Sequence, residues 1–388
     1  MDNILLLQNL YYRWWKNLDK FIFSLIILLF ITGLFFSLVS TSLLVSDKLD
    51  TNDYAFFFKH LSFVILGIAI IFIFSLISEE KLFKISPLIF LFSLIALCLV
   101  PFIGVEVNSA QRWIDLRIFR LQPSETMKLG LVMMLALYYD WLKPEKVSKL
   151  FWVLLPLIMI ILPTGLVIRQ PDLGTGLLIV FIGISVMFLA GVSGWYFSGG
   201  LGLTGIFLLI VWASRNTPWQ FLKDYQYRRI DTFLNPSLDP LGSGYHITQS
   251  KIALGSGGLT GRGFMQGTQS QLNFLPEKHT DFIFTTLAEE FGFLGAISLL
   301  AIYGCVVLLC GISAILNKNR YGSLLTSGLT ITFFSYFSVN IAMVMGLAPV
   351  VGVPLPLISY GGSAMIVLLV SFGLIQSAHV HKPRTKTK

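Results

Sequence analysis

The chain has 388 residues, of which 55% are hydrophobic and 12% are charged, and its mean hydropathy is +0.77. Soluble domains carry about 25% charged residues, so this composition excludes a soluble globular protein. The net charge of +8 would on its own suggest nucleic acid, but the basic residues stand in short loops beside apolar runs, where lipid headgroups are the usual partner.

Apolar runs long enough to cross a bilayer recur along the whole chain, since about 20 residues span the hydrocarbon core. They predict an all-α polytopic membrane protein with about ten transmembrane helices. The predicted spans are residues 21–45, 59–78, 86–104, 125–142, 149–166, 173–191, 195–213, 281–314, 322–346 and 357–380. The first run is longer than the core of a signal peptide, so it is kept as a span.

The distribution of Lys and Arg predicts the orientation of these spans. An even number of spans places both termini on one side, and most basic residues of the short loops lie on that side. Because short cytoplasmic loops are enriched in Lys and Arg, both termini are expected in the cytoplasm. The polar motifs are then expected on the outer face of the membrane.

The cysteines and histidines indicate neither a disulfide framework nor a zinc site. Cys98, Cys305 and Cys310 all fall inside apolar runs, where they act as small hydrophobic residues. The five histidines show no metal-ligand spacing with cysteines or carboxylates. No organic cofactor is expected either.

The first polar stretch that enters a span is NSAQRWIDLRIFRLQPSETMKLG, residues 108–130. Its proline suits the first turn of a helix, so Glu125 and Lys128 follow three positions apart on one helical face. They form either a self-neutralising pair or, since ionisable groups at the mouth of a span are costly, part of a functional site. Arg112 either binds a phosphate or extends to the headgroups, and Trp113 is either an interfacial residue or part of that site.

The second polar stretch is IRQPDLGTG, residues 168–176, a tight turn between two predicted spans. Arg169 and Asp172 either pair with each other across the turn or face a ligand. A guanidinium at headgroup depth is suited to a pyrophosphate, which it can bind through two hydrogen bonds. Both interpretations stay open at this point.

Residues 214–280 form the only long loop between the predicted spans. It is rich in Gly, Asn, Gln and Ser and contains amphipathic pieces such as YQYRRIDTFLNP and GYHITQSKIALG. Because structureless loops of this length are uncommon, we predict a folded cap at the membrane interface. The chain is thus expected to be a single membrane domain, residues 1–388, with this large extracytoplasmic loop within it.

The end of the long loop reads NFLPEKHTDFIF from residue 273 onwards. Glu277, Lys278, His279 and Asp281 place four ionisable groups within five positions, at the junction with a span. Asp281 either stabilises the N-terminus of the following helix as a plain charge or acts as a general base. Grouped ionisable residues shift one another's acidity, which favours the second interpretation.

The last polar stretch is GVPLPLISYGGSAM, residues 352–365, which contains two prolines and a pair of glycines. It lies at the outer end of the last predicted span. Packing alone would explain it, because small residues let membrane helices approach closely.

Together these stretches resemble the SEDS family (shape, elongation, division and sporulation) over nearly the whole chain. The resemblance is carried by QRWIDL, LQPSE, RQPDLGTG, YQYRRI, DPLGSGYHITQSKIALGSGGL, GTQSQLNFLPEKHTDFIF, LAEEFG and PVVGVPLPLISYGGSAM. The wording of GTQSQLNFLPEKHTDFIF and GVPLPLISYGG favours the elongation branch, which acts in rod shape, over the division branch.

The resemblance implies a peptidoglycan glycosyltransferase of the bacterial inner membrane. It would polymerise lipid II on the outer face during cell elongation, beside a class B penicillin-binding protein with transpeptidase activity and other membrane proteins of the elongation complex. By this resemblance Asp281 matches the family's essential acidic residue, while Glu125, Lys128 and Asp172 match its conserved cavity residues. The motifs themselves add further expected substrate-binding residues, namely Arg112, Trp113, Arg169, Lys278 and His279.

The expected mechanism has Asp281 as general base for the sugar hydroxyl of incoming lipid II, with inversion at the attacked anomeric carbon. A pyrophosphate leaving group requires fixed positive charge or a divalent ion such as Mg²⁺ or Mn²⁺. Two alternatives belong to other classes. A lipid II flippase would carry charges near the membrane midplane, and a scaffold of the elongation complex would use Asp281 only as structure.

Overall fold

The computed structural model describes residues 14–40, 51–107, 110–117, 120–215, 217–222, 224–239, 242–271, 280–359 and 362–381. Within these ranges the chain is mainly helical. The helices are α1 Lys20–Ser40, α2 Thr51–Ser75, α3 Glu79–Ile103, α4 Pro123–Trp141, α5 Leu150–Arg169, α6 Leu173–Leu189, α7 Gly194–Ala213, α8 Asp224–Leu234, α9 Ser243–Ser256, α10 Thr268–Gln271, α11 Ile283–Leu316, α12 Arg320–Val344 and α13 Gly362–Val380. Short 3₁₀ helices lie at Pro144–Lys146 and Pro236–Leu238.

The long helices α1–α7 and α11–α13 lie at the predicted positions of the spans, which confirms an all-α polytopic membrane fold. In the described ranges, seven helices are long and apolar enough to cross a membrane by length and composition: α1, α3, α5, α7, α11, α12 and α13. Helix α6 and the His60–Ser75 part of α2 are apolar but shorter. Helix α4 differs from them because it carries Glu125, Lys128 and Asp140.

The prediction of a last span from residue 357 is wrong at its start, since α13 begins at Gly362. Before it, residues 350–359 form no regular helix. Pro354 and Pro356 cannot donate the N–H groups that a helix needs. Gly352 and Leu357 have positive φ angles of 69° and 63°, which are incompatible with a right-handed helix. This irregular segment forms one wall of the cavity described below.

Helices α4, α12 and α13 form the centre of the bundle, where most of their side chains are buried. Peripheral helices instead expose large apolar side chains such as Phe92 of α3 and Phe151 of α5. Helix α7 is the extreme case, because Val211 is its single buried residue. A helix that is apolar on all sides and exposed belongs in lipid.

A small antiparallel sheet between α3 and α4 was not expected from the sequence. Strand β1 is Val105–Val107, β2 is Ala110–Asp115 and β3 is Arg120–Leu121, with β2 in the middle. Because side chains alternate across a strand, the sheet turns some residues of the QRWIDL stretch toward the helices and others away. A three-residue strand and a two-residue strand give too weak a periodic signal for prediction.

The described parts of the 214–280 segment contain the helices α8, α9 and α10, so these parts are folded as expected. Its first part is held by an ion pair in which the Arg215 guanidinium donates to both carboxylate oxygens of Asp231. These hydrogen bonds raise the pKa of Arg215. The guanidinium also lies 5.5 Å from the ring centre of Tyr227, which places α8 close to the end of α7.

The turn after α9 is inserted into a break in α11. Gly292 has a φ of 65° and a ψ of −160°, so the helix is interrupted there. In an unbroken helix, Phe293 and Leu294 would donate their N–H groups to the carbonyls four residues earlier. They donate instead to the carbonyls of Gly258 (2.9 Å) and Leu259 (3.1 Å) in the cap.

The two carbonyls released by the break are also satisfied by the cap. Arg262 donates its N–H to the carbonyl of Glu289 at 3.0 Å, and Gly263 donates to that of Glu290 at 3.1 Å. Four cap-to-helix bonds thus replace two helical ones, which meets the requirement that backbone groups at membrane depth be paired. A Cβ at Gly261 would lie 2.0 Å from the Glu290 carbonyl oxygen, so this contact requires glycine.

The end of the bundle opposite to the cap is closed by paired polar groups. Glu79, at the start of α3, is 7% exposed and accepts hydrogen bonds from the amides of Asn317 (2.8 Å) and Asn319 (2.6 Å). This carboxylate therefore fixes the turn between α11 and α12. We call these three residues the Glu79 latch.

Further contacts at the same end join helix termini that are distant in sequence. Arg320 donates to the carbonyls of Leu142 (3.1 Å) and Ala190 (3.3 Å), which follow the last turns of α4 and α6. A cation is favourable at the C-terminus of a helix. Gln376 of α13 both donates to and accepts from the backbone of Asp19.

Candidate active site

A cavity of about 530 Å³ lies at the cap end of the bundle. Its walls come from the small sheet, α4, α6, α12, residues 280–281 and the 350–354 segment. A volume of this size is typical of ligand sites, which are mostly apolar with a few placed polar groups. Six predicted site residues line it, namely Arg112, Trp113, Glu125, Lys128, Asp172 and Asp281. The fold thus gathers residues that span more than 160 positions of sequence.

Glu125 and Lys128 lie on one face of α4 and are joined by a third residue, Tyr336 of α12. The Lys128 ammonium is 2.8 Å from a carboxylate oxygen of Glu125, and the two side chains are 1% and 6% exposed. Lys128 also donates to the Tyr336 hydroxyl, which in turn donates to the other Glu125 oxygen. We call these residues the buried triad. Its closed hydrogen bonding offsets the cost of two buried charges.

Asp172 caps the N-terminus of α6 by accepting the Thr175 N–H at 3.2 Å. Its other oxygen accepts from the Gln122 amide at 3.2 Å and lies 3.6 Å from Arg112. In the described residues the cation beside Asp172 is therefore Arg112 and not Arg169. The ion pair between Arg169 and Asp172 across the turn, which was one of the two interpretations of the sequence, is replaced by an ion pair with a residue 60 positions away.

Arg112 uses its other guanidinium nitrogens on backbone. Its Nε donates to the carbonyl of Gln170 at 3.0 Å, and one Nη donates to that of Pro171 at 2.5 Å. Strand β2 is thereby fixed to the α5–α6 turn. The expectation of a phosphate-binding guanidinium must accommodate this structural role, since two of its five N–H donors bind backbone carbonyls and a third nitrogen faces Asp172.

Asp281 lies two residues before the start of α11 and is half-buried. The 350–354 segment passes directly beside it: a Cβ built on Gly352 would lie 3.4 Å from a carboxylate oxygen of Asp281. Its position at the helix entrance matches the expectation from the sequence. The carboxylate lines the cavity together with Thr280.

Three of the predicted site residues are not placed in this cavity. Arg169 is on the last turn of α5 with an exposed side chain, and it is not among the described lining residues. Lys278 and His279 lie outside the described residues. They precede Asp281 by three and two positions, respectively, and stay a prediction.

Tyr336 and Gln122 are polar lining residues that sequence reasoning missed. Tyr336 lies within an apolar run, where an aromatic residue gives no signal of function. Gln122 belongs to the quoted LQPSE stretch, but its role depends on Asp172, which is 50 positions away. Only the packing of α4 against α6 and α12 reveals these partners.

The described lining does not fit the expected Mg²⁺ or Mn²⁺. No group of three His, Cys, Asp or Glu residues that could hold a metal stands together in the described ranges. The carboxylate of Glu125 is engaged by Lys128 and Tyr336, and that of Asp172 by Gln122 and Thr175.

Comparison with protein families decides the classification. The family model of the cell cycle proteins FtsW, RodA and SpoVE matches residues 19–384. The chain belongs to this family. It is 41% identical over 348 residues to the "Peptidoglycan glycosyltransferase MrdB" of Escherichia coli K12, covering 89% of this chain and 91% of the relative. It is 37% identical over 350 residues to the "Probable peptidoglycan glycosyltransferase FtsW" of Aliivibrio salmonicida, covering 89% and 85%.

Solved structures support the same family. A chain of the structure described as "Structural coordination of polymerization and crosslinking by a peptidoglycan synthase complex" matches with a TM-score of 0.77 and 28% identity, covering 93% of this chain and 97% of that one. The Rod shape determining protein RodA of Thermus thermophilus matches with a TM-score of 0.69 and 26% identity, covering 95% and 98%. The family predicted from the sequence is thus confirmed.

Proposed function

We propose that this chain is a peptidoglycan glycosyltransferase that polymerises lipid II into glycan strands during cell elongation. The enzyme class rests on relatives of that name that align over most of the chain. The single observation that carries the chemistry is the cavity, which collects Asp281, the buried triad and Asp172 in one space. The carboxylate of Asp281 in this space is suited to accept the proton of a sugar hydroxyl at the membrane boundary.

Asp281 is our proposed general base. Its half-buried carboxylate would accept the proton of the sugar 4-hydroxyl of incoming lipid II as that oxygen attacks the anomeric carbon of the lipid-linked growing strand. A new glycosidic bond forms, the bond to the polyprenyl pyrophosphate breaks, and the pyrophosphate leaves as an anion. Direct displacement inverts the anomeric centre.

Fixed positive charge would stabilise the leaving pyrophosphate. In the described lining, Arg112 and Lys128 are the cations, and both already face carboxylates. Lys278 is a proposed third contributor because it is three residues before Asp281. Trp113 would provide an apolar face against the sugar or the lipid.

We place the cavity on the outer face of the bacterial inner membrane, with both termini in the cytoplasm. The concentration of Lys and Arg in loops on the side of the termini supports this orientation. The proposed partner is a class B penicillin-binding protein. Its support is the similarity to a chain of a peptidoglycan synthase complex.

No specific observation supports the alternative function, which is that of a lipid II flippase. Its polar groups would have to continue through the bundle to the opposite end. There, the described carboxylate of Glu79 is engaged by two amides in the Glu79 latch. The distribution of polar groups thus favours an enzyme with a site at one end.

The decisive experiment is polymerisation of lipid II by the purified protein with its penicillin-binding partner, with and without EDTA. We compare wild type with Asp281→Asn, which keeps the side-chain size and removes the charge. Strands are expected from wild type, and at least a 100-fold lower rate from the variant, because a general base contributes about 10²–10⁴-fold.

The matched control is Asp140→Asn, a change of the same chemistry at a half-buried position near the other end of α4. It should polymerise at the wild-type rate. Equal rates for wild type and folded Asp281→Asn would reduce Asp281 to a helix-end charge. The flippase or scaffold alternative would then be preferred.

A further inference from the structure

Two separate segments of chain form the wall on which Asp281 stands. One is the Thr280–Asp281 entry to α11, and the other is the 350–359 segment before α13. Neither segment belongs to a regular helix, so helical hydrogen bonds do not fix their relative position. Two buried side chains connect them instead.

The first connection is Asn340 of α12, which is 0% exposed. Its amide nitrogen donates one hydrogen bond to the Asp281 carbonyl at 2.8 Å and another to the Val353 carbonyl at 2.7 Å. Both hydrogens of one rigid, planar group are thus used on the two segments. Because most side chains of α12 are buried, this amide ties the wall to the packed centre of the bundle.

The second connection is Ser359, which is 1% exposed. Its hydroxyl donates to the Thr280 carbonyl at 2.5 Å and accepts the Leu355 N–H at 2.9 Å. It therefore holds the residue immediately before Asp281 to the same 350–359 segment. A serine and an asparagine thus bind successive carbonyls, those of residues 280 and 281.

We propose that Asn340 and Ser359 are positioning residues that set the direction of the Asp281 carboxylate toward the cavity. This inference rests on the proposed function, because the position of Asp281 matters for rate only if it acts on the reacting hydroxyl. Neither residue is among the described residues that line the cavity, so their effect is exerted through the backbone of Asp281.

The geometry explains why the backbone is the point of control. Asp281 precedes the first residue of α11, where one free torsion would swing the carboxylate away from its place beside Gly352. Fixing the carbonyls of residues 280 and 281 removes that freedom. A displacement of about 1 Å in a catalytic group can reduce the rate about 100-fold, whereas substrate binding by the rest of the cavity is retained.

The test uses Asn340→Leu, which keeps the approximate volume and removes both donors, and Ser359→Ala, which removes one. Each is assayed for lipid II polymerisation with the partner present, and kcat and KM are determined per folded molecule. We expect kcat to fall 10- to 100-fold for Asn340→Leu and about 5-fold for Ser359→Ala, with KM within threefold of wild type.

The matched control is Asn317→Leu. Asn317 is also a buried asparagine whose amide donates twice, to Glu79 at 2.8 Å and to the Ala378 carbonyl at 3.4 Å, but at the end of the bundle opposite to the cavity. Its loss should lower the unfolding temperature without changing kcat. A purely structural role for Asn340 would give the same result for both asparagines.

The outcomes separate this inference from the function on which it rests. Wild-type kcat in folded Asn340→Leu, or a rise in KM equal to the fall in kcat, overturns it. If Asn340→Leu does not fold, Ser359→Ala decides: an unchanged kcat overturns the proposal and a reduced kcat at constant KM supports it. Failure of wild type itself to polymerise lipid II would instead overturn the proposed function, and the positioning role with it.

Discussion

The two ends of the bundle each bury a glutamate, and the difference between them shows what makes a buried carboxylate functional. Counted over the whole residue, Glu79 is 7% exposed and Glu125 is 4% exposed. The first is held by two neutral amides that close a turn. The second is held by Lys128 and Tyr336 and lines a space of about 530 Å³.

Burial and hydrogen bonding therefore do not distinguish a site from a latch. At the Glu79 latch, the carboxylate and the two amides face one another. In the buried triad, the same type of carboxylate retains one side toward a cavity that also contains Asp281. The four predictions that follow test this comparison, from the largest expected effect to the smallest.

Replacement of Lys128 by Met should have the largest effect. It leaves the Glu125 carboxylate buried without its cation, which is expected to cost about 3–5 kcal/mol of folding free energy. We expect polymerisation to fall at least 100-fold, measured with lipid II, and the unfolding temperature to fall as well. The double variant Glu125→Leu with Lys128→Met should regain stability but not activity. Recovery of activity in the double variant would show that the triad is only structural.

Removal of the Tyr336 hydroxyl by a change to Phe should have an intermediate effect. The ring still packs, but Glu125 and Lys128 each lose one hydrogen bond. A loss of about 1–3 kcal/mol in stability follows from the unpaired buried groups. We expect about a 10-fold fall in kcat, measured by polymerisation at saturating lipid II. The control is Tyr321→Phe, which removes a buried hydroxyl contact to Ser86 elsewhere in the bundle and should leave kcat unchanged.

A change of Glu79 to Gln should lower stability and leave catalysis intact. The amide of the introduced glutamine side chain would direct at least one N–H donor toward the side chain of Asn317 or Asn319, and both of these already act as donors. We expect about 1–3 kcal/mol of destabilisation, measured by thermal unfolding in detergent. The rate per folded molecule should stay within twofold of wild type. A larger loss of rate would mean that the two ends of the bundle are coupled.

The smallest effect is expected for Arg169→Ala. This side chain is exposed on the last turn of α5 and is not among the described lining residues of the cavity. Its removal should change polymerisation less than twofold, whereas Arg112→Ala should reduce it at least tenfold by freeing the α5–α6 turn from strand β2. Equal losses of polymerisation activity in the two variants would mean that Arg169 does contribute to substrate binding.

Much of the fold could be predicted because the signal for a membrane span lies within one short stretch of sequence. A run of about 20 apolar residues is sufficient to define a span, whatever its neighbours. The ten predicted segments accordingly coincide with α1–α7 and α11–α13. The start of α13 was missed because the prolines at 354 and 356 lie inside an apolar run, and hydropathy does not register a missing N–H donor.

The candidate site could be predicted only for residues whose type is unusual in its setting. Asp281, Glu125 and Lys128 are charged at the boundary of apolar runs, which is costly and therefore conspicuous. Tyr336 and Asn340 were not singled out, since a tyrosine or an asparagine inside a membrane helix is compatible with many roles. Their importance depends on residues 59 to 211 positions away.

By itself, the sequence determined the class of the protein, the positions of its long helices and the charged residues at one end, because hydropathy and charge are properties of short stretches. The tertiary structure alone decided which of these residues meet. It places Tyr336 in hydrogen-bonding contact with Glu125 and pairs Asp172 with Arg112 instead of Arg169. It also fixes the backbone of Asp281 through the amide of Asn340. These pairings are set by the packing of helices distant along the chain, and no local pattern encodes that packing.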